Sequence, residues 1–223
     1  MKLICCGDSF FSLDKKYPNT HLSELLATKF NAELQNYSKY GASNFMIALQ
    51  LEYAIKQNPD LIVFGFTSVD RIEVPFGKYL MEPAGILNVK YELTNRHTPD
   101  FYMEEKTTIL SNSFSNLEKT EAIKLYMTEL YDSELKRHHD FFIVSSLLRK
   151  LDKLGINYMF TRGGLTGPDW TEWKKTEVDF ETECPWHFLE SSRGSGVYHT
   201  NFKTQQMLAD KWFDKINNLY NFV

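Results

Sequence analysis

The sequence has no long apolar run. Its longest, Leu61 to Phe66, falls far below the ~18 residues that a membrane-spanning helix needs. The apolar stretch near the start, Leu3 to Cys6, is too short for the core of a secretory signal and runs straight into Gly7-Asp8. Cysteine is scarce: 3 in 223 residues, an odd number, with Cys5 and Cys6 adjacent and so directed to opposite faces of a strand. That excludes a disulfide framework and points to a reducing, cytoplasmic setting. Cys184 and His187 have an i, i+3 spacing, but two ligands do not make a zinc site, and no metal or other cofactor is expected. Positive charge is not in surplus either. Lys and Arg number 25 against 29 Asp and Glu, for a net charge of −4, which speaks against a general nucleic-acid-binding face. Lys174-Lys175 is read as solvated surface, and neither nucleic acid nor membrane is expected as a partner. Internal repeats and low-complexity segments are also missing.

What remains is an alternation of strand-like and helix-like segments. Residues 2–6 form a short apolar run, read as a buried strand. Residues 21–30 place Leu22, Leu25, Leu26 and Phe30 on one helical face, with Thr20 as the expected N-cap. Residues 32–37 read as a second strand, and 43–57 as a buried helix broken by Asn58-Pro59-Asp60. Residues 61–66 are apolar on both faces, as a central parallel strand should be. Residues 71–112 are irregular and proline-containing, and are read as an insertion or flap. Helices are expected over 116–136 and 141–154, the second ending at Gly155, with His138-His139 on the surface between them. A strand over 157–160, a long loop over 161–199 and a closing helix over 202–219 complete the chain. Trp170, Trp173 and Trp186 fall in that loop, where they either form a satellite apolar cluster, the favoured reading, or stack on substrate.

This order predicts one α/β domain over residues 1–223, with three α/β/α layers around a central parallel sheet, flavodoxin-like in architecture. Ligands of such sheets sit beyond the carboxyl ends of the strands. Gly7-Asp8-Ser9 lies just past the first strand, and Asn36 to Asn44, containing Gly41, lies past the second. Gly65 to Arg71 lies past the third, and His199 stands just ahead of the last helix. Ser9 alone would be an ordinary turn residue or helix cap, and His199 alone a helix neighbour. Asp8 is read as a hydrogen-bonding partner of the turn rather than a catalytic acid.

Taken together, the Gly7-Asp8-Ser9 block, Gly41 and His199 resemble, in order and position, the SGNH or GDSL-type hydrolase family. The resemblance covers most of the chain outside 71–155. It implies a fold of the SGNH hydrolase type, Ser9 as nucleophile and His199 as general base. It also implies the backbone N–H groups of Ser9 and Gly41 as oxyanion donors. Two positions depart from the family. Val69 stands where an asparagine donor belongs, leaving Thr67, Ser68 or Arg71 as substitutes, of which Ser68 is preferred. Gly196 stands where the triad aspartate belongs, leaving Asp179, Glu181, Glu183, Glu190 or a backbone carbonyl to orient the imidazole.

The activity so implied is ester hydrolysis through a Ser9 acyl-enzyme. The substrate would be a small-molecule or carbohydrate ester, with O-deacetylation of a carbohydrate as the family-level expectation. The rival is a catalytically degenerate domain of the same fold, acting as a binding or structural module. A nucleotide-binding reading is weaker, because the single glycine after strand one offers no phosphate cradle.

Overall fold

Strand β1 (Lys2–Cys6) is buried from Leu3 onward, and its side chains alternate strictly between two apolar layers. Ile4 and Cys6 face one hydrophobic cluster, while Leu3 and Cys5 face the other. The thiols therefore point apart, as adjacent strand positions must. Strand β3 (Leu61–Gly65) repeats the alternation. Ile62 and Phe64 share the layer of Ile4 and Cys6, and Leu61 and Val63 share that of Leu3 and Cys5.

A computed structural model describes residues 1–13, 17–39, 42–67, 69, 125–126, 129–163, 165, 169–178 and 202–223. Among them, β2 (Glu33–Asn36), β1, β3 and β4 (Tyr158–Thr161) form a sheet in the order β2-β1-β3-β4, every pair parallel. Helices α1 (Leu22–Lys29) and α4 (Phe202–Tyr220) supply one layer, where Leu26, Leu208 and Trp212 pack with Leu3 and Val63. Helices α2 (Asn44–Ile55) and α3 (Ser133–Leu154) supply the other, where Ile47, Leu51 and Leu148 pack with Ile62 and Phe64. The molecule has the expected three-layer α/β/α architecture. No helix among the described residues is long and apolar enough to cross a membrane.

Three local expectations change. The N-cap of α1 is His21 rather than Thr20. Glu24 reaches back and accepts from the backbone N–H groups of both, while the Thr20 hydroxyl turns away to the carbonyl of Tyr17. The break placed between two helices near 137–140 lies instead at Asp132. There the backbone is extended (φ −121°) and the carboxylate caps the N–H groups of Glu134 and Leu135. His138 and His139 accordingly sit on α3 rather than between helices, and they are exposed. The helix does end at Gly155, in the left-handed conformation (φ 64°). Finally, part of the segment read as a loop is built into the sheet margin: Phe160 donates to the carbonyl of Thr176, and Val178 donates to that of Phe160. Trp170, beside Phe160 and Phe141, and Trp173, beside Trp170, lie in the main core, so for these two the expected satellite cluster is instead part of that core. Residues 71–124 and Trp186 lie outside the described residues.

The ends of β1 and β3 are held together by a close approach. The ring of Phe11 lies over Gly7 and Gly65 and meets Trp212 of α4 edge-on, at 5.7 Å between centroids. A Cβ on Gly65 would stand 2.4 Å from Phe11 Cε2 and 3.1 Å from Thr161 Cγ2. Gly65→Ala is therefore expected to lower stability by about 1–3 kcal/mol through overpacking. Urea denaturation should show the loss, and it should be smaller in the Phe11→Leu background, where the ring is gone.

Candidate active site

Between β1 and β3 the direction of strand order reverses. β2 lies to one side of β1, β4 lies beyond β3, and the connecting helices pass to opposite faces. Such a reversal opens a crevice at the carboxyl ends of the strands. The Gly7-Asp8-Ser9 turn and the segment after Gly65 flank that crevice.

The turn is tightly specified. Gly7 adopts φ 141°, a conformation that side-chain-bearing residues rarely adopt. Its peptide is clamped from α2: its N–H donates to Gln50 Oε1 at 2.7 Å, and its carbonyl accepts from Gln50 Nε2 at 3.2 Å. The same carbonyl accepts from the N–H of Lys39 at 3.0 Å, tying the turn to the segment that leaves β2. Asp8 is 3% exposed and works within the turn. Its Oδ1 accepts from the N–H of Phe10 at 2.9 Å, and its carbonyl accepts from the N–H of Phe11 and the hydroxyl of Ser12. Its Oδ2 accepts from Thr67 Oγ1 at 3.3 Å, which joins the turn after β1 to the segment after β3. Asp8 is thus the turn partner the sequence suggested. Ser9 sits at the apex of this bonding and is 4% exposed.

Asn36, the last residue of β2, makes a third tie. Its Nδ2 donates to the carbonyl of Phe11 at 2.7 Å and to Ser23 Oγ at 3.1 Å, and its Oδ1 accepts from the N–H of Ser38. The final helix also reaches this corner. Gln205 Oε1 accepts from the N–H of Leu22 at 2.8 Å, and the adjacent Ser23 hydroxyl donates to the carbonyl of Phe11. The start of α4, which follows His199 in the chain, is therefore pinned beside the segment that carries Ser9.

Gly41, Ser68 and His199 lie outside the described residues, as do Arg71, Gly196, Asp179, Glu181, Glu183 and Glu190. Their neighbours are informative. Helix α2 starts at Asn44 with Ser43 as its cap, accepting from the N–H of Met46 at 3.3 Å. Val69 is buried in the core between sheet and α2, an environment that suits an apolar residue. Thr67 is withdrawn from the set of replacement donors: its hydroxyl donates to Asp8, and its N–H donates to Asn44 Oδ1 at 2.8 Å. Neither cysteine of β1 competes as a nucleophile. Burial pushes both thiols well above their ordinary pKa, and Cys5 adds to the effect on Cys6.

Sequence reading passed over Gln50 and the side-chain role of Asn36. Gln50 did carry a signal: it is a polar residue inside the most apolar helix among the described residues, where a buried amide must find partners.

No protein-family model and no curated protein matches the chain. Solved structures do. A protein assigned to the lipolytic G-D-S-L family from Desulfitobacterium hafniense DCB-2 superposes with a TM-score of 0.53 at 8% identity, covering 96% of this chain and 98% of that one. The psychrotrophic esterase EstA from Pseudoalteromonas sp., in a structure inhibited by monoethylphosphonate, gives 0.51 at 11% identity, covering 99% and 98%. The chain has the fold of these G-D-S-L and esterase structures, of the SGNH hydrolase type.

The clamp on Gly7 generates a direct expectation. Gln50→Leu keeps the bulk but leaves a buried N–H without its acceptor, and should cost about 1–3 kcal/mol in a urea melt.

Proposed function

We propose that this protein is a serine ester hydrolase of the SGNH type, a divergent member of that family, acting through a Ser9 acyl-enzyme. The observation that carries the reading is the placement of Ser9. It stands at the switch point of a parallel sheet, in a turn whose neighbouring carboxylate is committed to backbone and Thr67 rather than to chemistry. The pinning of α4 beside that turn supports His199 as the base, since the histidine immediately precedes this helix.

A serine hydroxyl is a weak nucleophile at neutral pH, so a base must take its proton during attack. Neutral imidazole, with an ordinary pKa near working pH, suits that role, and His199 would return the proton to the leaving alcohol. The carbonyl oxygen becomes an oxyanion, stabilised by the N–H groups of Ser9 and Gly41 with Ser68 as the third donor. Such a donor is worth about 3–4 kcal/mol in a hydrolase, so the third position matters. Water then repeats the attack on the acyl-enzyme and frees Ser9. The substrate class is a small-molecule or carbohydrate ester, an O-acetyl carbohydrate being the family-level choice.

The core position of Val69 favours one rival, a binding module of the same fold in which the oxyanion hole has been abandoned. A fluorophosphonate probe separates the two. The wild type should be labelled and should hydrolyse p-nitrophenyl acetate, with Ser9→Ala unlabelled and slowed by about 10⁶-fold in kcat. A folded wild type that stays unlabelled and inert favours the binding module.

The orienting acid can be found in the same assay. Alanine at one of Asp179, Glu181, Glu183 or Glu190 should lower kcat by up to about 10⁴-fold. Equal activity in all four variants would instead identify a Ser-His dyad.

A further inference from the structure

Behind Asp8, buried polar side chains form a line from the Ser9 turn to helix α3. Thr67 Oγ1 donates to Asp8 Oδ2. Asn44, the first residue of α2, grips the backbone of Thr67 on both sides. Its Oδ1 accepts from the N–H of Thr67 at 2.8 Å, and its Nδ2 donates to the carbonyl of Thr67 at 2.9 Å. The same Nδ2 donates to Asp140 Oδ2 at 2.8 Å, and Asp140 Oδ1 pairs with the ammonium of Lys136, one helical turn earlier. Asn44 and Asp140 are each fully buried, and Thr67 nearly so.

A carboxylate in the interior is expensive even when paired, and a well-packed apolar residue usually serves stability as well or better. Asp140 nevertheless occupies the same buried stripe of α3 as Val144, Leu147, Leu148 and Leu151. What a carboxylate does there that a leucine would not is accept from the Asn44 amide and reinforce its orientation. Held against the Lys136 ammonium it only accepts, so it must face Nδ2 of Asn44 and never Oδ1. With Nδ2 turned to Asp140, Oδ1 is left in position to accept from the N–H of Thr67. Reversing the carboxamide would set oxygen against oxygen at Asp140 and at the Thr67 carbonyl, and donor against donor at the Thr67 N–H.

We infer that Asp140 is a positioning residue for Ser9. Together with the Thr67 backbone it holds the Asn44 carboxamide in one orientation and in place; that amide sets the backbone of Thr67, whose hydroxyl in turn holds the Asp8 carboxylate that shapes the Ser9 turn. As a statement about catalysis this rests on the hydrolase reading, whereas its mechanical part can be measured without activity.

Asp140→Asn keeps the shape but lets either end of the side chain face Asn44. Thr67→Val removes only the last link and keeps the line operative if the first variant fails to fold. Asp152→Asn is the comparison: it lies at the other end of α3 and accepts from Tyr158 and Trp173, away from the turn. In the first two variants, the amides of Phe10 and Phe11 should exchange with deuterium about tenfold faster, as expected for losing one hydrogen bond's worth of protection. Their kcat on p-nitrophenyl acetate should fall about 10–100-fold with little change in KM, the signature of a displaced reacting group. Asp152→Asn should change neither. Wild-type exchange at Phe10 and Phe11 in either folded variant overturns the inference, as does faster exchange with unchanged kcat in an active enzyme. If the wild type itself proves inert, the hydrolase reading fails. The exchange result alone then decides whether Asp140 positions the turn.

Discussion

The architecture depends on how closely the carboxyl ends of β1 and β3 come together. β3 ends on Gly65 and β1 is followed at once by Gly7, and the space left by the two absent side chains is filled by one ring, that of Phe11. The ring also meets Trp212, so the last helix of the chain is packed against the first turn. A single aromatic residue thus ties the first strand, the third strand and α4 to the few residues around Ser9. Strands that diverged here would lose the crevice and, with it, any site built from loops far apart in sequence.

Around that contact the protein spends polar groups freely. Asn36 at the end of β2, Gln50 and Asn44 on α2, and Thr67 after β3 are side chains from three different segments, and each bonds to backbone within or next to the Ser9 turn or to its carboxylate. Buried amides are costly unless satisfied and direction-giving when they are, because donors and acceptors cannot be exchanged. Apolar packing fixes the layers, while these bonds fix the orientation of a turn. The division resembles what a preorganised reaction site requires, where reacting atoms must be held more precisely than stability alone demands.

The layered fold was legible in the chain because parallel strands buried on both faces read as short uninterrupted apolar runs, as at 2–6 and 61–65. Gly155 and Pro59 also punctuate the pattern in the usual way. The boundary of α3 was not legible. Sequence periodicity does not show that Asp132 caps the helix while His138 and His139 continue it. The role of Asp8 was legible, since an aspartate in a tight turn bonds to the amide two residues on. Asn44 and Asp140 escaped notice for a simple reason: their significance lies in a contact across 96 positions, and one chain gives no means of pairing them. An acidic residue on a largely apolar stripe of α3 was the available hint.

The paired thiols of β1 have a use of their own. Cys5 looks into the layer of α1 and α4, and Cys6 into that of α2 and α3, each behind a separate wall of helices. A small alkylating reagent can reach one only when the first wall lifts, and the other only when the second does. Two neighbouring atoms of sulfur therefore act as independent sentinels, one for each side of the molecule, and the order of their modification tells which side gives way first.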